Sequence, residues 1–159
     1  SRWDFQPNDV VQIRDGKKEQ GKIPSRMTLL HQKIYEQNPN INSIIVSQPN
    51  YVMAFGSSGR EFNVRTIPES WIFLQDVHIL PFNTLINEEQ KILTEIEQRP
   101  SVIISNNSYI VTGKNLLQTF DYLEVAEFSA KSLVMGASLG KLVPINDEQV
   151  EDLRKAFIK

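Results

Sequence analysis

Short strand-like runs separated by longer stretches of helical periodicity constrain this chain more than any other feature. The runs are Ser43–Ser47, Val77–Leu80, Val102–Ile104 and Tyr109–Val111, all rich in β-branched or aromatic residues. A fifth, Val10 to Ile13, stops at the turn signal Asp15-Gly16. Ser43–Ser47 has the compact β-branched composition of a buried strand. Val102–Ile104 and Tyr109–Val111 read as a strand pair around Asn106-Asn107-Ser108. Strands interleaved with helices predict an α/β layered domain.

The helices between them are marked by periodicity and caps. Met27, Leu30, Ile34 and Tyr35 lie on one face of a helix that Ser25 can cap and that ends before Pro39. Pro49 suits the first turn of a short helix carrying Val52, Met53 and Phe55 and ending near Gly56. Pro68 opens another, with Trp71, Ile72 and Leu74. Asn87 followed by Gln90 has the form of a capping box before Ile92, Leu93 and Ile96. The longest helix runs from Asn115 to about Leu139, with Leu116, Phe120, Leu123, Ala126, Phe128 and Leu133 expected in the core. Asn146 caps a last amphipathic helix bearing Val150, Leu153, Ala156 and Phe157.

At 159 residues the chain is expected to be a single domain, 1–159, large enough to bury a core. A net charge of −2 with scattered Lys and Arg gives no footprint for nucleic acid. No apolar run approaches the roughly 20 residues that span a bilayer. Ser1 to Phe5 has neither a basic nor an apolar signal region, so no signal peptide is expected. With no cysteine the chain fits a reducing compartment, and a cytoplasmic location is the expectation.

The order of several segments resembles the class II aldolase/adducin family. Those segments are Gly21-Lys22-Ile23-Pro24-Ser25, then His31 and Tyr35, then Pro39-Asn40-Ile41-Asn42-Ser43-Ile44-Ile45. Ile67-Pro68-Glu69, Leu80-Pro81-Phe82 and the stretch from Gly113 to Glu124 follow in family order. The resemblance implies a mostly antiparallel central sheet flanked by helices, a homo-oligomer (commonly a tetramer), and sugar-phosphate cleavage on a zinc held by three histidines. It also implies a Gly-Asn-x-Ser phosphate loop that would precede this chain, so the domain is expected to lack that N-terminal portion.

The resemblance places the His-x-His pair of zinc ligands at Val46-Ser47-Gln48 and the third histidine at Asn107, before Ser108. It places the catalytic acid/base carboxylate at Met27. Zinc takes imidazole, thiolate or carboxylate at about 2.0–2.3 Å. Valine has no donor atom, glutamine is a poor ligand, and methionine transfers no proton. The two histidines of the chain, His31 and His78, lie on different predicted elements, so one subunit has no three-histidine site. His31 reads as a half-buried histidine held by one hydrogen bond, and His78 as a solvent-facing or edge-strand residue. Glu124 and Glu127 flank an apolar stripe and are expected to pair with Lys131 or a neighbouring element.

The polar residues left around the inferred pocket are Ser25, Arg26, Ser47, Gln48, Asn106, Asn107 and Ser108. Such groups hydrogen-bond a hydroxylated or phosphorylated small molecule, and Arg26 offers charge to a phosphate. The alternative is that they satisfy strand ends and turns, which Asn106-Asn107 suits well. Gly56-Ser57-Ser58-Gly59 lacks the Lys-Ser/Thr ending of a phosphate loop and reads as a surface turn. The expectation is therefore a divergent member with no metal and no cofactor, acting as a sugar-phosphate-binding or oligomerising module. The alternative is an aldehyde-lyase working through a rearranged site, for example a Schiff base on Lys22, Lys114 or Lys131.

Overall fold

The computed structural model describes residues 4–158; Ser1, Arg2 and Trp3, which entered the signal-peptide reading, lie outside the described residues. A small hairpin comes first, β1 (Ile13–Arg14) and β2 (Lys17–Lys18). Its two turn residues, Asp15 and Gly16, both take left-handed backbone (φ 50° and 71°), as a tight two-residue hairpin requires. The strand expected over Val10–Ile13 thus starts only at Ile13, because Val10 is exposed and has no apolar face to join.

The rest of the chain alternates in order: α1 (Thr28–Gln37), β3 (Ser43–Ser47), α2 (Asn50–Ser58), α3 (Pro68–Leu74), β4 (His78–Leu80), α4 (Thr84–Asn87), α5 (Glu89–Gln98), β5 (Ser101–Ile104), β6 (Ser108–Gly113), α6 (Leu116–Gly136) and α7 (Asp147–Phe157). The sheet order is β3-β6-β5-β4. The β3–β6 and β5–β6 pairs are antiparallel and β4–β5 is parallel. This is the mostly antiparallel, helix-flanked α/β sheet that the sequence led us to expect.

Side-chain alternation divides the core in two. Val102, Ile104 and Ile110 point to one face, where Leu30 and Ile34 of α1 and Ile92, Leu93 and Ile96 of α5 cover them. Ile103, Tyr109 and Val111 point to the other, against Val52 and Phe55 of α2, Trp71 and Leu74 of α3, Ala126 and Ala130 of α6, and Val150 of α7. Both faces of β5 are therefore sealed, and every one of its residues is buried. The edge strand β3 is only half-buried beyond Ser43.

Several local readings change. Met27, not Ser25, is the N-cap of α1; the Ser25 hydroxyl accepts from the Met27 N–H (3.2 Å) in the turn just before it. Pro49 is the N-cap of α2 rather than part of its first turn, and α2 continues past Gly56 to Ser58, where Gly59 turns left-handed. Asn87 ends the short helix α4, which the sequence did not reveal, and Glu88 takes the N-cap position of α5 in place of the expected box. The Asn146–Gln149 capping box of α7 forms as read from its spacing. Leu116, Phe120 and Phe128 are not core residues: they point outward from α6, and Ala156 and Phe157 do so from α7. The inward positions of α6 are small, Thr119, Ala126, Ser129 and Ala130, because that helix lies close against the sheet.

The closest approach is at Gly113, where an added Cβ would lie 2.6 Å from Thr119 Oγ1 and 3.1 Å from the Thr119 amide nitrogen. Thr119 Oγ1 is itself held by the Asn115 carbonyl at 2.8 Å and cannot swing away without losing that bond. Gly113→Ala is expected to lower stability by about 1–3 kcal/mol in urea denaturation. A midpoint equal to wild type would show that the β6–α6 junction is looser than this packing implies.

Candidate functional site

The candidate residues fall at one end of the sheet, where β3 finishes and the β5–β6 turn begins. That turn is tight because Asn106 takes left-handed backbone (φ 54°), which asparagine tolerates better than most residues. Its amide donates to the Gly56 carbonyl of α2 (3.2 Å), and the Asn107 amide donates to the Ile104 carbonyl (3.1 Å). Gln48 leaves β3 and donates its side-chain Nε2–H to the Asn107 carbonyl at 2.7 Å. Ser47 stands opposite Tyr109, and Ser108 opposite Ile104. Ser47, Gln48, Asn106, Asn107 and Ser108 are thus brought into one neighbourhood.

Ser25 and Arg26 precede α1 on a separate segment, both exposed. They relate to that neighbourhood through Met27 and Val46, which pack against the same apolar cluster of Leu30, Ile34, Ile104 and Ile110. The Ser25 hydroxyl is engaged locally with the Met27 amide.

The buried polar atoms differ in character. Ser108 Oγ and Ser47 Oγ are enclosed without a hydrogen-bond partner among the described residues, as is His31 Nε2. His31 is half-buried as read, but the single hydrogen bond expected for it is not formed at Nε2. Burial lowers its pKa below the ordinary 6.5, favouring the neutral ring. Tyr109 is wholly enclosed, and burial pushes its phenol far above the usual range, with the Ser101 hydroxyl beside it only partly offsetting the effect. It holds its proton at any physiological pH. His78 sits on the edge strand β4 as expected, its Nδ1 3.1 Å from Glu95, which also accepts from Arg99 (2.9 Å).

Glu127 pairs with a neighbouring element, one of the two outcomes expected for it, and its partners there are backbone amides. Both carboxylate oxygens accept from the Tyr51 amide (3.1 Å each), and one accepts from the Val52 amide (3.0 Å). A helix start leaves such amides without intrahelical partners. Pro49, at the N-cap, has no side-chain acceptor, so a carboxylate from α6 supplies one and meets the positive end of the α2 dipole. The clue in the sequence was the missing cap at Pro49. Of the two partners expected for Glu127, Lys131 or a neighbouring element, the structure forms the second, at α2, while Lys131 places its ammonium 5.7 Å from the Tyr51 ring centre.

The two larger grooves lie elsewhere. One of ≈ 1110 Å³ is lined by Arg60, Phe62, Arg65, Asp76 and His78 among others; a second of ≈ 760 Å³ lies between α2 and the end of α6. Of the lysines considered for a Schiff base, Lys22 is bound to Glu19 (3.0 Å) and the Val10 carbonyl (2.8 Å), and Lys114 and Lys131 are exposed. Among the described residues no three His, Cys, Asp or Glu side chains cluster as a metal would need, and no helix is long and apolar enough to cross a membrane.

A helix-covered, mostly antiparallel sheet with a polar turn at the end of its edge strand defines a recognisable class. The profile of the Class II Aldolase and Adducin N-terminal domain family matches residues 2–134, and the chain belongs to that family. It is 23% identical to a 5-deoxy-D-ribulose 1-phosphate aldolase of Bacillus thuringiensis, covering 98% of this chain and 74% of that protein. It is 25% identical to an L-fuculose phosphate aldolase of Methanococcus maripaludis over 76% of this chain and 66% of that protein. Among solved structures, an L-fuculose 1-phosphate aldolase superposes with a TM-score of 0.83 at 21% identity, covering 98% of this chain and 74% of that one.

The zinc ion that the family resemblance implies does not fit the residues at its place. Val46 presents hydrocarbon packed into the α1/α5 core, and Gln48 and Asn107 are tied to one another through an amide–carbonyl bond. Met27, where the resemblance would put an acid/base carboxylate, packs against the same apolar cluster.

Two outcomes follow. Glu127→Ala is expected to destabilise the fold by about 1–3 kcal/mol, and Glu127→Gln by less because it keeps one acceptor; chemical denaturation of both variants checks this. For His31 the folded pKa lies below the unfolded one, so the unfolded state binds more protons as the pH falls below about 6.5. Its contribution to stability is complete above that pH and declines below it. An NMR titration of His31 with a midpoint at or above 6.5 would contradict the burial seen here.

Proposed function

We propose that this domain is a divergent class II aldolase/adducin-like protein without zinc-dependent aldolase activity, retained as a sugar-phosphate-binding or oligomerising module. The observation that carries this reading is the state of Val46, Gln48 and Asn107. Val46 is a half-buried apolar residue packed against the α1/α5 core, and the Gln48 side chain donates to the main-chain carbonyl of Asn107 across the strand end and the turn. Recruiting them as ligands would require breaking that packing and offers no strong donor in return.

The binding arm rests on what that end of the sheet still exposes. Gln48, Asn106 and Asn107 offer amide groups there, with Ser47 and Ser108 behind them, and Ser25 and Arg26 come from the segment before α1. Amides and hydroxyls recognise sugar hydroxyl groups, and a guanidinium recognises phosphate. The names of the relatives suggest which ligands to try first.

The purified chain, supplied with excess zinc, is expected to release no aldehyde from L-fuculose 1-phosphate or 5-deoxy-D-ribulose 1-phosphate above a protein-free blank. Calorimetric titration with the same sugars is the check on the binding arm. The expected result is a binding isotherm that Arg26→Ala weakens by about tenfold, in line with loss of a charged hydrogen bond to phosphate. Zinc-dependent turnover would overturn the reading outright. No heat with any sugar phosphate would leave the oligomerising role alone.

A further inference from the structure

We infer that Glu127 is a positioning residue of the candidate site, pinning α2 as a rigid bracket that holds the end of β3 against the β5–β6 turn. The inference deepens the binding arm of the proposed function and rests on reading that end of the sheet as a binding site. The β3–β6 ladder ends at Ser47 and Tyr109. Gln48, Asn106 and Asn107 therefore lie beyond the bonds that set strand register. One side-chain bond joins them directly, from Gln48 Nε2–H to the Asn107 carbonyl (2.7 Å). α2 joins them a second time. It begins directly after Gln48-Pro49, and near its other end the Gly56 carbonyl accepts from the Asn106 amide (3.2 Å).

Both ends of this bracket use groups that a helix leaves over. The last carbonyls of a helix have no intrahelical partner, and α2 stops at Ser58, so the Gly56 carbonyl is free for the turn. Gly56 is also where α2 sits hard against the sheet: an added Cβ would lie 2.9 Å from Ile103 Cγ2. At the start, the first intrahelical bond runs from the Met53 amide to the Pro49 carbonyl (2.9 Å), which leaves the Tyr51 and Val52 amides over. The Glu127 carboxylate takes both, at 3.0 to 3.1 Å. Glu127 is itself well fixed, because Ala126, Ser129 and Ala130 beside it are buried and the Ser129 hydroxyl is bonded to Thr66 and Ser70. From Tyr51 to Gly56 is about 7.5 Å along the helix axis. A rod so short transmits a shift at its start to the carbonyl that holds Asn106.

Amide hydrogen exchange followed by NMR on the ligand-free chain is the test. Gly113→Ala, which strikes the far end of β6 and is expected to cost the fold a similar amount, is the reference. Glu127→Ala is expected to speed exchange at Tyr51 and Val52 and also, by about tenfold or more over the reference, at Asn106. The Gln48 side-chain amide signal should shift toward that of a free amide. Glu127→Gln, which keeps one acceptor, should give smaller changes at the same places, and it serves where the alanine variant does not fold. Changes confined to Tyr51 and Val52 would make Glu127 a helix cap and nothing more, and would overturn the inference. So would an Asn106 amide that Gly113→Ala opens as much as Glu127→Ala does. Where wild type gives an isotherm with L-fuculose 1-phosphate, Glu127→Ala should weaken it about tenfold and Gly113→Ala should leave it unchanged. Equal weakening by both contradicts a positioning role. A chain that binds no sugar phosphate retires the binding reading but leaves the bracket, as read by exchange, standing. Binding with an Asn106 amide indifferent to Glu127 does the reverse.

Discussion

Burial of the β5–β6 hairpin on both faces is the constraint on which the rest of the structure depends. Val102, Ile103 and Ile104 have no accessible surface, nor have Tyr109, Ile110 and Val111 beside them. A strand in that position has to be apolar on both sides, which forces a layer of helices above and another below. α1 and α5 form one layer; α2, α3, α6 and α7 form the other. β3 and β4, each paired on one side only, are the edges where the layers end.

The second layer is then fixed by polar contacts set within apolar packing. Glu127 reaches from α6 to the start of α2. The hydroxyls of Thr66, Ser70 and Ser129 bond one another between α3 and α6, satisfying groups that would otherwise be costly to enclose. Arg65 pairs with Asp147 (2.6 Å) at the start of α7, and Arg154 stacks over Trp71 (5.4 Å to the ring centre). Beneath α6 the fully buried residues are small, Thr119, Ala126, Ser129 and Ala130, with Tyr122, Leu123 and Leu133 packed beside them and Leu116, Phe120 and Phe128 on the outside.

The sheet was legible because strand periodicity is a local property: Ser43–Ser47, Val102–Ile104 and Tyr109–Val111 all carry it in their own residues. The strand order and the parallel β4–β5 pair were not, since pairing between distant segments leaves no local mark; the family resemblance supplied the architecture. α6 shows the limit most clearly. Leu116, Phe120 and Phe128 are apolar and helical in context, and nothing in a single sequence says which stripe of a helix apolar nearly all round faces the core. For Glu127 a neighbouring element was one of the expected partners, but which one was hidden for a related reason, because its partners are backbone amides some 75 positions away. At the candidate site, the clustering of Ser47, Gln48, Asn106, Asn107 and Ser108 follows from strand register, whereas the Gln48–Asn107 bond depends on how a side chain leaving β3 meets a turn 59 positions on.

The central claim is our proposal that the chemistry of a zinc aldolase has no place in this domain, since the positions the resemblance gives its ligands hold a half-buried valine and a hydrogen-bonded turn. Elemental analysis of the native protein, purified without chelators or a histidine tag, tests that claim most directly. The account predicts no transition metal near stoichiometry. About one equivalent of zinc per subunit would contradict it, and would mean that ligands have been recruited from residues other than Val46, Gln48 and Asn107.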